Sequence, residues 1–368
     1  MSWNPLAAVP QFPTDGYARL ADRLAPLLGT EHDVVFVQGE AIVALESAAA
    51  ELAAPGVSAL NIVTSPYGRL FGDWLTRGGA EVVTIIAEEG APVRAAAVRE
   101  ALAGASFDLV AVVHGEAATG ILNPIEAIAE AARQAGALLV VDAVATVGGH
   151  PVRADDWDAA IVVIGPQKGL GGPASLSAVA VSTAGWRALA AAERARRPRH
   201  NVPTTLSLLD LKRAWLDTGR GALPGMPDPL AFWALSAALD ELEAEGVDAR
   251  ISRHRRASTA ARAGLRALGV EPWPAADDDA LTLVTALPVP DGMAAADFLR
   301  GLRALDPSVT TAVGTAANRL VRLNHTAQRA TYPAVLTGLA AYAAVMDEAG
   351  QPVDIGAGVR AATAAWAS

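Results

Sequence analysis

Between Asp33 and Ser182 short, uniformly apolar runs rich in β-branched residues alternate with alanine-rich stretches, and this alternation restricts the fold more than any other feature. The runs are DVVFV, SALNIVT, EVVTIIA, DLVAVVH, ALLVVDA, DAAIVVIG and SLSAVAVS. A strand that is apolar on both faces must be covered on both, which is the situation of a mostly parallel sheet flanked by helices. Helical stretches are expected over Ala41–Ala53, through Phe71–Arg77 and over Val93–Leu102. A further helix begins at Pro124, with Ile125, Ile128, Ala129 and Ala132 on one face. Proline suits its first helical position because the N–H it lacks has no partner there. The last three runs follow one another without a clear helix between them.

After Gly246 the texture changes to an Arg-rich helix, Arg250–Leu268, then a Pro- and Asp-rich break, EPWPAADDD, then a smaller α+β pattern from Leu281 to about Met346. The expected division is an N-terminal segment 1–20, a large domain 21–246 and a small C-terminal domain 247–368. With 368 residues, 52% apolar and 18% charged, the chain has ample material for a core.

Composition removes several chemistries. Without cysteine there are no disulfides, thiolate metal sites or thiol nucleophiles. A formal charge of −10 disfavours nucleic acid and anionic membranes as partners. The basic knot Arg194, Arg196, Arg197, Arg199 and His200 reads as a solvated helix end. The start MSWNPLAAVPQF has no basic residue ahead of its apolar positions, and no apolar stretch approaches the ~20 residues that span a bilayer. The expectation is a cytoplasmic protein.

The informative residues are the polar ones that interrupt the apolar runs. Asp142 ends ALLVVD, and Lys168 follows DAAIVVIGPQ just ahead of GLGG. Ligands of open α/β sheets gather beyond the carboxyl ends of the strands, where these two residues fall together with Gly39 and His114. A lysine in such a place can lose its proton and act as a Schiff-base nucleophile. Taken alone, the two charges read equally well as an internal ion pair. His114 reads as a structural histidine closing a strand or as a residue beside the ligand. Trp215 and Trp233 read as core residues. The glycines from Gly148 to Gly172 form no phosphate-binding loop of the G-x-x-x-x-G-K-(S/T) type, and no metal site is expected.

The stretch HGEAATGILNPIEAIAEAARQAGALLVVDAVATVGGHPVRADDWDAAIVVIGPQKGLGGPASLSAVAVS, His114–Ser182, resembles the core of class V aminotransferases, especially the alanine–glyoxylate and serine–pyruvate enzymes. H-G-E-x-x-T-G, V-D-(A/S)-V-(A/S)-(S/T)-x-G-G and G-(S)-Q-K are met almost residue for residue, and a weaker likeness runs from Asp33 to Met346. The resemblance implies a fold-type I transferase dependent on pyridoxal 5′-phosphate (PLP), a homodimer that moves an amino group between a small amino acid and a 2-oxo acid such as glyoxylate or pyruvate. It implies that Lys168 holds the cofactor as a Schiff base and that Asp142 pairs with the pyridine nitrogen, keeping the ring an electron sink. Val144 and Phe71 would pack on the ring, and Thr119 would lie beside it. Gln167 and the N–H groups at Gly39 and Glu40 would hold the phosphate. Arg322, in LVRLNHTA, would receive the substrate carboxylate, with Arg319 and Arg329 as neighbours in competition.

The likeness fails at the rim. Gln38, Gly39 and Glu40 stand where the family carries Ser-Gly-(Thr/His), and Ala117 and Ala118 replace hydroxyl residues. Leu223 and Met226 lie in the region that normally sends Tyr and Thr into the partner's site. A carboxylate at close contact with phosphate costs up to ~4 kcal/mol per charge pair at an effective dielectric of 20. Two alternatives follow: a PLP-dependent lyase, because the fold does not separate these reactions, or a scaffold that has lost its chemistry.

Overall fold

A computed structural model describes residues 9–196 and 206–368, so Arg197, Arg199 and His200 of the basic knot lie outside the described residues. The first part of the chain runs α1 (Gly16–Leu27), β1 (Asp33–Val37), α2 (Ala41–Leu52), β2 (Ser58–Val63), α3 (Pro66–Arg77), β3 (Glu81–Ile86), α4 (Ala95–Gly104) and β4 (Leu109–Val113). Two-residue strands β5 (Gly115–Glu116) and β6 (Ile121–Leu122) form a small hairpin before α5 (Ile125–Ala135), β7 (Leu138–Asp142), β8 (Ala159–Ile164), β9 (Ser177–Val181) and α6 (Thr183–Ala195). A short α7 (Leu208–Leu211) then leads into α8 (Pro229–Glu245).

The seven long strands form one sheet in the order β1-β9-β8-β7-β4-β2-β3. The pairs from β8 through β7, β4 and β2 to β3 are all parallel. β9 pairs antiparallel with both neighbours, so it alone runs against the rest and β1 shares their direction. This explains the missing helix between β8 and β9: antiparallel neighbours need no long crossover. It also sets the carboxyl ends of β1, β4, β7 and β8 along one edge of the sheet.

Helix ends follow local chemistry. Ser65 caps α3 by accepting from the N–H of Tyr67, with Pro66 in the first turn. Pro124 precedes α5 as its cap rather than its first residue, because its ψ of 73° is not helical. Gly136 closes α5 at a φ of 71°, a conformation that side chains oppose. Trp215 is fully buried, whereas Trp233, expected in the core, is 39% exposed and donates from its indole N–H to the Pro10 carbonyl.

After Gly246 come α9 (Val247–Ala267), β10 (Val284–Pro288), α10 (Ala295–Leu305), β11 (Thr310–Thr311), β12 (Leu320–Asn324), α11 (Tyr332–Glu348) and α12 (Ile355–Ala367). β10, β12 and β11 make a second, antiparallel sheet with its own apolar cluster. The two parts meet through buried polar contacts: the Nε2 of His150 accepts from the N–H of Thr282 at 3.0 Å. Among the described residues no helix is long and apolar enough to cross a membrane.

Candidate active site

Asp142 ends β7, Lys168 lies in the loop just past the end of the adjacent parallel strand β8, and both line a cavity of about 170 Å³ at the carboxyl edge of the sheet. The approach of their two loops depends on glycine. Gly148, at a φ of 79°, lies against the backbone of Gly169, and a Cβ on Gly169 would strike the Val147 carbonyl oxygen. The GLGG run thus holds the Lys168 loop against the loop that follows Asp142.

Burial decides the electrostatics of this cavity. Asp142 accepts at Oδ1 from the N–H of Val144 at 2.9 Å. Burial pushes its carboxyl up to about 6, while Lys168 pulls it down. Burial likewise lowers the Lys168 ammonium below its usual range, against the pull of Asp142, Glu116 and Glu40. The Lys168 Nζ lies 5.9 Å from the centre of the Tyr67 ring, which the first turn of α3 brings to the cavity wall. Val144 and Ala117 line the wall as well.

Several expected residues stand elsewhere. Phe71 sits one helical turn beyond Tyr67, buried in an adjoining apolar crevice that shares Leu45, Tyr67, Val113 and Asp142 with the Lys168 cavity, and does not itself line that cavity. Thr119 faces a larger groove of about 470 Å³ between the two sheets, next to Trp273 and Arg319, and its hydroxyl has no partner among the described residues. His114 packs edge-on against Trp157 with ring centres 5.1 Å apart, outside the cavity lining, and burial lowers its pKa to about 3.

Two residues carry information that the sequence pattern did not convey. Tyr67 follows a Ser-Pro helix start by one residue, and nothing in its local sequence marks it as lining a ligand cavity. Glu116 sits inside the H-G-E motif and lines the cavity, fully buried, with its carboxyl pushed up to about 7 by burial.

The N-terminus of α2 is the expected phosphate seat. There the N–H of Gly39 is spent on the Val37 carbonyl at 3.0 Å. Glu40 is the N-cap: its Oε2 accepts from the N–H of Ile42 at 2.9 Å, and its Oε1 accepts from the Nε2 of Gln167 at 2.6 Å. The chain's own carboxylate therefore occupies the positive end of the helix.

Arg322, on β12, is held by a hydrogen bond from Nη1 to the Ala117 carbonyl and has no carboxylate partner among the described residues. Its competitors are engaged: Arg319 pairs with Glu89, and Arg329 with Asp306 at 2.9 Å. Of the three arginines, Arg322 alone has no carboxylate partner among the described residues. Leu223 is buried and Met226 is 96% exposed.

Residues 13–317 match the family described as aminotransferase class-V. The chain is 32% identical over 350 residues to the pyridoxamine–pyruvate transaminase of Mesorhizobium japonicum, covering 95% of this chain and 87% of that protein. It is 29% identical to the L-aspartate–glyoxylate aminotransferase of Paracoccus denitrificans, covering 86% and 79%. The crystal structure of the pyridoxamine–pyruvate aminotransferase of Mesorhizobium loti superposes with a TM-score of 0.87 at 30% identity, covering 95% and 88%. The comparisons give no support to the lyase alternative. The lysine and aspartate at neighbouring strand ends thus stand in a chain that belongs to the class V aminotransferases, fold-type I enzymes that transfer amino groups with pyridoxal 5′-phosphate as cofactor.

Proposed function

We propose that this transaminase moves an amino group from pyridoxamine itself, the unphosphorylated vitamer, to a small 2-oxo acid such as pyruvate or glyoxylate. The single observation that carries this reading is the Glu40 carboxylate at the N-terminus of α2, where a phosphate would need to sit. The residues present fit the ring end of the cofactor and not its phosphate end. Lys168, Asp142, Val144 and Tyr67 surround a space suited to a protonated pyridine ring. At the other end a phosphate dianion meets a carboxylate, with the Gly39 N–H already engaged. A neutral hydroxymethyl group carries no such penalty and can donate a hydrogen bond to Glu40. The Mesorhizobium relative, a pyridoxamine–pyruvate transaminase, supports the same substrate.

In this reading Asp142 keeps the pyridine nitrogen protonated by its negative charge in a buried site. Lys168, with its ammonium destabilised by burial, gives up its proton more readily than an exposed lysine, and its Nζ is the group that takes up and returns a proton. Arg322 binds the oxo acid carboxylate through its guanidinium. The net change is pyridoxamine plus pyruvate to pyridoxal plus alanine, with no oxidant required. The second reading, an amino acid donor with phosphorylated cofactor and glyoxylate as acceptor, draws on the Paracoccus relative.

The division at residue 246, a homodimer and a cytoplasmic place of work belong to the same proposal. Separate apolar clusters on either side of Gly246 support the division. Exposed Met226, Leu230 and Trp233 supply an apolar surface for a second copy to cover.

The test is turnover of pyridoxamine with pyruvate against pyridoxamine 5′-phosphate with pyruvate, following pyridoxal and alanine. At least a tenfold preference for the free vitamer in kcat/KM is expected, with turnover abolished in Lys168→Ala. Preference for the phosphate ester would overturn the reading.

A further inference from the structure

Glu116 faces the Lys168 cavity, and the proposed reaction gives it no task. Its Oε1 accepts from the Thr64 hydroxyl at 3.0 Å, and its Oε2 meets the Ser65 hydroxyl. Both hydroxyl oxygens already accept elsewhere: Asn123 donates from Nδ2 to Thr64 at 3.0 Å, and the Tyr67 N–H donates to Ser65 at 3.3 Å. Each hydroxyl has a single hydrogen, which therefore points at Glu116. Two one-way hydrogen-bond chains converge on this carboxyl, an arrangement satisfied by the anion. A neutral Glu116 must reverse one link and strand a hydroxyl hydrogen.

Burial acts in the opposite sense. Among the described residues no cation reaches hydrogen-bond distance of Glu116, and the Asp142 charge repels its anion. The other charged or titratable groups facing it are Lys168 from the loop after β8, Glu40 at the start of α2, Tyr67 on α3, and Arg322 of β12, bound to the neighbouring Ala117 carbonyl. With these influences near balance, a positive charge entering the cavity decides the state of Glu116.

We propose that Glu116 is a charge-balancing positioning residue: it releases its proton to solvent when a cationic amine enters the Lys168 cavity, and as a carboxylate it draws in the Thr64 and Ser65 hydroxyls. Ser65 caps α3, so the ionised form fixes the helix start that carries Tyr67 to the lysine. The amine is the donor of the proposed reaction, and to that extent the inference rests on it.

Calorimetric titration with pyridoxamine at pH 7, in two buffers of different ionisation enthalpy, counts the protons released on binding. Wild type is expected to release roughly half a proton more than Glu116→Gln, which keeps the shape but does not ionise. Equal proton counts with binding intact would overturn the proposal. If neither protein binds pyridoxamine, the donor assignment fails, and a ligand-free measurement judges Glu116. The chain has two lysines, Lys168 and Lys212, so acetic anhydride labelling with peptide mapping reads the Lys168 amine against an internal reference. Loss of the Glu116 charge lowers the protonated share of Lys168, and the Lys168/Lys212 labelling ratio at pH 8 is expected to rise threefold or more in Glu116→Gln. An unchanged ratio would overturn the proposal independently of any ligand.

Discussion

Gln167 donates from its Nε2 to the Oε1 of Glu40 at 2.6 Å, so the residue directly before Lys168 anchors the carboxylate that caps α2. The contact ties the loop after β8 to the loop after β1, two strand ends separated in the sheet by β9. It also stations a negative charge in the lining of the lysine cavity, the feature on which the proposed preference for the unphosphorylated vitamer rests.

Glu40→Ser removes the charge and keeps a good helix cap, so stability should change by less than about 1 kcal/mol. Affinity for the phosphorylated ring should rise at least tenfold, corresponding to about 1.4 kcal/mol of relieved repulsion. Equilibrium binding of pyridoxal and PLP to wild type and variant checks this. A variant that still favours pyridoxal by the wild-type margin would remove Glu40 from the account.

Tyr67 and Phe71 are separable by experiment although they lie one turn apart on α3. Phe71→Ala should cost ~3–5 kcal/mol of stability, as a buried aromatic truncation does, and leave the KM for the vitamer within about threefold in the folded fraction. Tyr67→Ala should have the reverse profile, with small loss of stability and a tenfold or larger rise in KM. Denaturant unfolding and steady-state kinetics on both variants give the comparison.

Arg322→Ala should raise the KM for pyruvate 100-fold or more, since truncating one partner of a buried charge pair costs ~2–5 kcal/mol. Arg322→Lys should recover only part of the loss, because an ammonium does not reproduce the paired hydrogen bonds of guanidinium. Binding of pyridoxamine in the absence of pyruvate should be nearly unaffected. Equilibrium binding of pyridoxamine, set beside steady-state kinetics at varied pyruvate, separates the two effects.

The pH dependence of Asp142 has a definite sign. Its carboxyl is raised from 3.8 to about 6 in the folded protein, so between these values the unfolded chain loses a proton that the folded chain retains. Its contribution to stability is therefore greatest below pH 4 and is lost as pH rises through 6. Asp142→Asn, which does not ionise, should gain stability relative to wild type from pH 4 to pH 7, by at most ~3 kcal/mol, while losing turnover at every pH. Urea unfolding of the ligand-free proteins at pH 4.5 and 7 tests the sign; a constant difference between the two would refute it.

The sequence by itself determined the architecture and the convergence of Lys168 and Asp142 on one cavity. Uniformly apolar runs call for cover on both faces; six of the seven receive it, while β3 lies at the sheet edge with Val83 and Ile86 exposed. A charge just past such a run emerges at the carboxyl edge of the sheet. Asp142 and Lys168 could be located on that ground, and the motifs around them pointed to the chemistry. Tertiary structure decided the rest. Tyr67 and Phe71 share a helix face, so the helical period does not say which one reaches the cavity; that depends on how far α3 projects past the end of β2. Thr119 lies within a matching motif, yet the hairpin of β5 and β6 turns it toward the groove beside Trp273. The direction of the Glu40 side chain does not follow from local sequence, because a carboxylate beside an anion seat is unfavourable only if an anion comes. In the fold the carboxylate itself caps α2, held by the Ile42 N–H and by Gln167, which lies 127 residues further along the chain. Local pattern specifies faces and ends, whereas depth, and the partner that meets a polar atom there, depend on packing between distant segments.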